Sequence, residues 1–156
     1  MSVTWITPIF DRTQADAQRL IELNVKGWHN MSQAEKTEWL GITKGALNTS
    51  DFERVENDIH FLSDKLDLGL TTYEGNIPWC KTDTYVDNLK SNLQAIRSTP
   101  YAKHDTPLVP TEPMSNFNWN DVEKILYDVH DTLYSIAERH MDESEWYMGE
   151  AIGLLI

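Results

Sequence analysis

Asp51-Phe52-Glu53-Arg54-Val55-Glu56-Asn57-Asp58-Ile59-His60 and Asp121-Val122-Glu123-Lys124-Ile125-Leu126-Tyr127-Asp128-Val129-His130 align without gaps at an offset of 70 residues. The first stretch opens at Ser50, with Glu53 placed to complete a capping box. Its apolar residues Phe52, Val55, Ile59, Leu62 and Leu66 recur at the intervals of one helix face, up to Gly69. The second starts from Asn120, with Glu123 three residues on, and carries Val122, Ile125, Leu126, Val129, Leu133, Ile136 and Ala137 to about His140. A fainter match sets Ala17 and Leu20 against Val86 and Leu89. Two copies of a helix-pair unit, about 5–75 and 79–143, explain both matches; the alternative is the general likeness of capped amphipathic helices. Two units are too few for a solenoid, so the copies are expected to pack on each other as a bundle.

Three more helices surround these. Thr13 with Asp16 opens one over about 13–28, with Ala17, Leu20, Ile21, Val25 and Trp28 at helical spacing. Ser32 with Glu35 opens a short one that reaches Trp39 and Leu40 before Gly41. A third begins near Thr82, presents Tyr85, Val86, Leu89, Leu93 and Ile96, and closes at Pro100. Pro100, Pro107, Pro110 and Pro113 then exclude helix and central strand, leaving an ordered extended loop or a hinge. The expected fold is all-α: a bundle of four long helices and one short helix, as a helical domain over 1–143. Val3–Ile6 and Trp146–Met148 are expected to pair as a minor terminal β-ribbon. Residues 144–156 read as an apolar C-terminal arm or the start of a further segment, and as a contact site.

Composition narrows the function classes. A chain of 156 residues, 40% hydrophobic, suits one packed domain and needs no metal or disulfide for stability. Its net charge is −12, with both halves acidic, so nucleic acid and anionic membrane surfaces are poor partners. The single cysteine, Cys80, excludes an internal disulfide and a multi-cysteine zinc site. No signal peptide and no apolar run long enough to cross a bilayer is present.

Catalytic motifs are absent as well. The repeated Asp-x-His, Asp58/His60 and Asp128/His130, is no dyad, because side chains two apart on a helix diverge by roughly 200°. Both histidines are expected at the rim of the helices or in solvent. His29, His104 and His140 lack a second histidine at metal-ligand spacing, and no phosphate loop or nucleophile elbow occurs. No catalytic residue, metal or cofactor is therefore assigned, and the chain reads as a non-enzyme.

Six tryptophans are the one compositional excess. Trp28 and Trp39 end amphipathic faces and are expected in the core. Trp5, Trp79, Trp119 and Trp146 lie outside the stripes, where tryptophan staples a helix entry, anchors a protein contact or stacks on a sugar. Trp5, Trp146, Tyr147, Leu154 and Leu155 are the candidates for protein contact. Trp79, Trp119 and Trp146 are the candidates for an alternative role in stacking on cell-wall glycans.

The wording of the chain adds a resemblance. Trp5-Ile6-Thr7-Pro8, then Asp11-Arg12-Thr13-Gln14-Ala15-Asp16, then Lys44-Gly45-Ala46-Leu47-Asn48 and Asn48-x-x-Asp51-x-x-Arg54-Val55-Glu56-Asn57-Asp58-Ile59 resemble tail-associated structural proteins of phages and prophages of Gram-positive bacteria. The likeness covers residues 5–66 best; Asn118-x-x-Asp121-x-x-Lys124-Ile125 looks like a degraded second copy. It implies a virion component at or near the tail tip, made in the bacterial cytoplasm and assembled into the tail. Its partners would be other tail proteins, further copies of itself and a host cell-surface polysaccharide. Physically, Asn48 and Asp51 suit a helix start, and Arg54 is placed to pair with Asp51 or Asp58. Such a motif marks a fold rather than an active site.

Overall fold

The computed structural model describes residues 3–41, 44–73, 75–78 and 81–153, with side chains described as far as residue 138. The chain is all-α, as its periodicity requires. Helices α1 (Gln14–Lys26), α2 (Gln33–Leu40), α3 (Thr49–Leu66), α4 (Asp83–Arg97) and α5 (Asn116–Gly153) follow in order, with a 3₁₀ turn at Trp28–Asn30.

Local signals set most helix starts. Thr13 accepts from the Asp16 N–H, and Ser32 from the Glu35 N–H; in each case the acid returns a bond to the cap backbone. The Thr82 side chain accepts from the Tyr85 N–H. Asn48 N–H donates to Asp51 Oδ2 at 2.8 Å. Two ends differ from expectation. Asp67, not Gly69, takes the left-handed position that stops α3, at φ 52°, while Ser63 accepts from Leu68 N and Leu70 N. Helix α5 begins four residues before Asn120. Ser115 Oγ accepts from Asn118 N–H at 3.1 Å there, which frees Asn120 and Glu123 from capping.

Helices α3, α4 and α5 pack on one another pairwise and form the core. Val55, Ile59 and Leu62 meet Leu89, Leu93 and Ile96 and the α5 residues Trp119, Val122, Ile125, Leu126 and Val129. Each such side chain contributes roughly 1.5–3 kcal/mol by leaving water. The matched positions Phe52/Val122, Val55/Ile125, Ile59/Val129 and Asp58/Asp128 are all buried, so the two similar stretches occupy like environments on α3 and α5. The fainter pair does not: α4 buries a full stripe, whereas α1 fully buries only Leu23.

Helix α1 packs instead on the 3₁₀ turn and α2, as a hairpin beside the core. Gly45 joins hairpin to α3 by close approach, since a Cβ there would lie 2.3 Å from the Asp16 carbonyl oxygen. The proline-rich segment is pinned by Arg97, which donates to Pro107 O at 2.5 Å and Thr106 O at 3.1 Å. Thr106 Oγ in turn donates to Asp128 Oδ2 at 3.0 Å.

Three expectations are corrected. Among the described residues there is no strand, and the terminal ribbon does not form: Val3–Ile6 is held by side chains, and Trp146–Met148 lie within α5. Residues 144–153 continue α5, whereas the apolar spacing ends that helix near His140. Trp28 and Trp39 are not core residues but stand 43% and 41% exposed, edge to face at 6.0 Å. The apolar stripe of α1 predicts a core contact; the short hairpin turns that stripe outward.

Candidate functional site

The chemistry-bearing side chains converge where the N-terminal strap, residues 3–12, crosses α3 and α5. Ile6 N–H donates to Asp58 Oδ1 at 3.0 Å, Ile9 N–H to Glu123 Oε2, and Arg12 N–H to Asn120 Oδ1 at 3.1 Å. Asn120 Nδ2 returns a bond to Arg12 O at 2.9 Å, and Asn57 Nδ2 donates to Thr4 O at 2.8 Å. The spacing of three residues between the donors is that of a polyproline II turn, and Pro8 suits it. Side chains thus do for this strap what a neighbouring strand would do for a sheet edge.

Beneath the strap lies a buried, neutral set of four charges: Arg12, Asp51, Arg54 and Glu123. Arg54 donates to Glu123 twice, Nε to Oε2 at 3.0 Å and Nη2 to Oε1 at 2.7 Å, and to Asp51 Oδ1 at 2.6 Å. Arg12 Nη2 reaches Asp51 Oδ1 at 2.9 Å and Glu123 Oε1 at 3.0 Å, while its Nη1 bonds the Ile9 carbonyl. Bidentate geometry of this kind is what lets ion pairs persist away from water.

Outside that set Glu56, Asp58 and Asp128 are also buried. Burial pushes Asp58 up to about 7, against the opposing bonds from Ile6 N–H and Asn57. Burial also raises Glu56, which accepts from Tyr73 N–H at 2.9 Å. Perturbed carboxyls mark active sites only when substrate can reach them. Both are sealed, and Asp58 spends its accepting oxygen on the strap. An open groove of about 680 Å³ borders the strap beside Thr49, Ser50, Glu53 and Asn57. Among the described residues its one other ionisable lining residue is Arg54, already committed to Glu123 and Asp51.

The repeated Asp-x-His pairs diverge as helical geometry requires. His60 Nε2 lies 3.5 Å from Asp64 on the outer side of α3, away from the strap bond of Asp58. Asp128 takes Lys124 and Thr106, whereas His130 stacks on Trp5 at 3.9 Å and on Tyr134 at 4.4 Å. Burial lowers the His130 pKa, so the stacked ring is neutral near pH 7. Among the described residues no group of three or more His, Cys, Asp or Glu side chains is arranged to hold a metal ion, and no helix is long and apolar enough to cross a membrane.

Of the tryptophans and apolar residues singled out from sequence, Trp5 is half-buried in the aromatic tier with Phe61, His130 and Tyr134. Trp119 is fully buried against Phe52 at 4.8 Å, which removes it as a sugar-stacking plate. Trp146 and Tyr147 lie near the end of α5; at about 1.5 Å per residue, Trp146 is roughly 24 Å along the helix from the Trp5 stack on His130. Trp79, Leu154 and Leu155 lie outside the described residues. The pairing of Arg54 with Asp51 is as the spacing suggests. The parts of Arg12, Asn120 and Glu123 escape sequence reading, because the last two resemble a capping box and Arg12 a surface charge. No family model, curated protein or solved structure matches the chain.

Proposed function

We propose that the chain is a non-enzymatic structural or adaptor module of a phage or prophage tail, in the tail tip or baseplate region. It acts by protein contacts in assembly or host attachment. The observation that supports this reading is where the motif residues lie. Trp5, Arg12, Asp51, Arg54, Asn57 and Asp58, which carry the resemblance, meet at or just beneath the strap: Asn57 and Asp58 bond its backbone, Asp51 bonds both Arg12 and Arg54, and Trp5 stacks on His130. A motif used up in this way specifies a scaffold and leaves recognition to the exposed surface.

Helix α5 supplies such a surface. Its 38 residues span about 57 Å, against about 27 Å for the 18 residues of α3. Beyond Val129 its described apolar residues are no longer fully buried, and Tyr134 and Ile136 are exposed. Mass spectrometry of purified particles and gold labelling of their tails test the proposal. The protein is expected in every particle at one end of the tail; its absence from purified particles refutes the reading. The glycan-binding alternative now rests on Trp79 and Trp146, and a glycan array with wild-type and Trp146→Ala protein tests it.

A further inference from the structure

The strap is held unequally along its length. Residues 8–12 are fastened through the Ile9 and Arg12 amides, through Asn120, and through the Arg12 guanidinium, which bonds Asp51, Glu123 and the Ile9 carbonyl. Among the described residues the backbone of residues 3–7 takes two bonds, both from neighbours on α3: Asn57 Nδ2 donates to Thr4 O, and Asp58 Oδ1 accepts from Ile6 N–H. Asn57 Nδ2 also donates to that same Asp58 oxygen at 3.2 Å, so the two bonds form one cluster around a single carboxyl. Trp5 adds its stack on His130. Pro8 is buried while Thr4, Ile6 and Thr7 are exposed, which makes residues 3–7 a thin cover with Pro8 at its boundary.

Beneath this cover Asp58 is sealed with one oxygen unused. Its Oδ2 is buried, and no donor among the described residues reaches it. A carboxylate so placed is costly, and a proton on that oxygen removes the charge. The surrounding charges do not offset the cost. Arg54, on the same helix, favours the ionised form, but it is bonded to Glu123 and Asp51; Glu123, from α5, opposes ionisation. Arg12, Asp51, Arg54 and Glu123 sum to zero, and residues 3–7 carry no charge, so ionised Asp58 adds a negative charge without a counter-ion. Burial therefore keeps the proton on up to about 7, where an open aspartate releases it near 4. We infer that residues 3–7 are a proton-dependent latch: with Asp58 protonated they lie closed on α3, and with Asp58 ionised they lift and admit water to it, while residues 8–12 stay anchored. Lifting bares the rings of Phe61 and His130 against which Trp5 packs. A terminal segment with two backbone bonds opens locally at far lower cost than the fold as a whole.

The sign follows from proton uptake. Between about 4 and 7 Asp58 is protonated when covered and ionised when open, so the closed population is greatest at acid pH and declines until about 7. His130 works in the opposite sense. Burial lowers its pKa, against the pull of Asp131, so acidification below about 6.5 favours the open strap.

The inference stands apart from the tail reading, because it is tested on the purified full chain without particles. His130→Phe keeps a ring beneath Trp5 and removes the opposing titration. In that variant the hydrogen-exchange protection of the Ile6 amide, corrected for the intrinsic rate, is expected to fall about a hundredfold from about pH 5 to about pH 8, because the closing constant changes about tenfold per pH unit up to about 7. The Ile9 and Arg12 amides keep their protection over the same range. Adding Asp58→Asn abolishes the fall at Ile6. In the wild-type chain the Asp58 carboxyl, followed by its carbon-13 shift, titrates well above about 4, a readout that needs no variant. A midpoint near 4 overturns the inference, as does a change in Ile6 protection of less than about threefold, a fall that persists with Asp58→Asn, or a loss of Ile9 and Arg12 protection in step with Ile6.

Discussion

Arg54 and Glu123, 69 positions apart in the chain, meet as a bidentate pair inside the core, at 3.0 and 2.7 Å. The pair joins α3 to α5, and the same carboxylate also accepts from the Ile9 N–H of the strap. Removing Glu123 leaves two buried guanidiniums, Arg12 and Arg54, to share the single carboxylate of Asp51. Glu123→Ala is expected to cost about 3–5 kcal/mol in urea denaturation of the full chain at pH 7. A loss below about 1 kcal/mol would show that water reaches the pair.

Asp58 gives the stability a pH dependence of defined sign. Its folded pKa of about 7 exceeds the unfolded value near 4, so between those values the folded state holds a proton that the unfolded state has released. Stability from this group is therefore greatest below about pH 4, falls as pH rises towards 7, and is flat above. Asp58→Asn keeps an oxygen for the Ile6 N–H and has no proton to lose. Denaturation midpoints taken from pH 4 to 8 should decline less in the variant than in the wild type. Equal slopes would place the titration elsewhere.

Gly45 tests how independently the hairpin is held. An alanine Cβ would meet the Asp16 carbonyl oxygen at 2.3 Å and Leu20 Cβ at 2.8 Å, and the backbone oxygen has nowhere to turn. Gly45→Ala is expected to cost about 1–3 kcal/mol, as overpacked sites do. Hydrogen exchange should accelerate in α1 and α2 while α3, α4 and α5 keep their protection. Uniform acceleration would mean that hairpin and core open together.

The far end of α5 is expected to be separable from the core, because among its described side chains, which reach residue 138, the fully buried ones end at Val129. Deleting residues 144–156 should leave cooperative melting unchanged and remove only the helical signal of the residues lost. Binding to the neighbouring tail component is expected to disappear, measured by co-sedimentation with tail intermediates. A fall in melting temperature of more than a few degrees would make this end part of the core.

Where local rules govern, the chain was legible. Thr13/Asp16, Ser32/Glu35 and Thr82 mark helix starts because their bonds reach only three residues, and the stripes on α3 and α4 face the core as their periods require. The same rules misled where a distant partner took the side chain. Asn120 and Glu123 have the spacing of a cap but serve Arg12 and Ile9, over 100 positions away. Trp119 lies off the sequence stripe only when α5 is started four residues late. On α1 the pattern reported that a face is apolar, and could not report that Ile21 and Val25 on it stand exposed.

Every bond that α3 and α5 make to the strap backbone reaches across 52 to 114 positions, and several of the acceptors come from α5. During synthesis residues 3–12 emerge more than a hundred residues ahead of those acceptors, and must wait unpaired until α5 docks on α3. The amide protons of Ile9 and Arg12 are thus a clock for the last step of folding: they become protected only when the strap has met the first turns of α5.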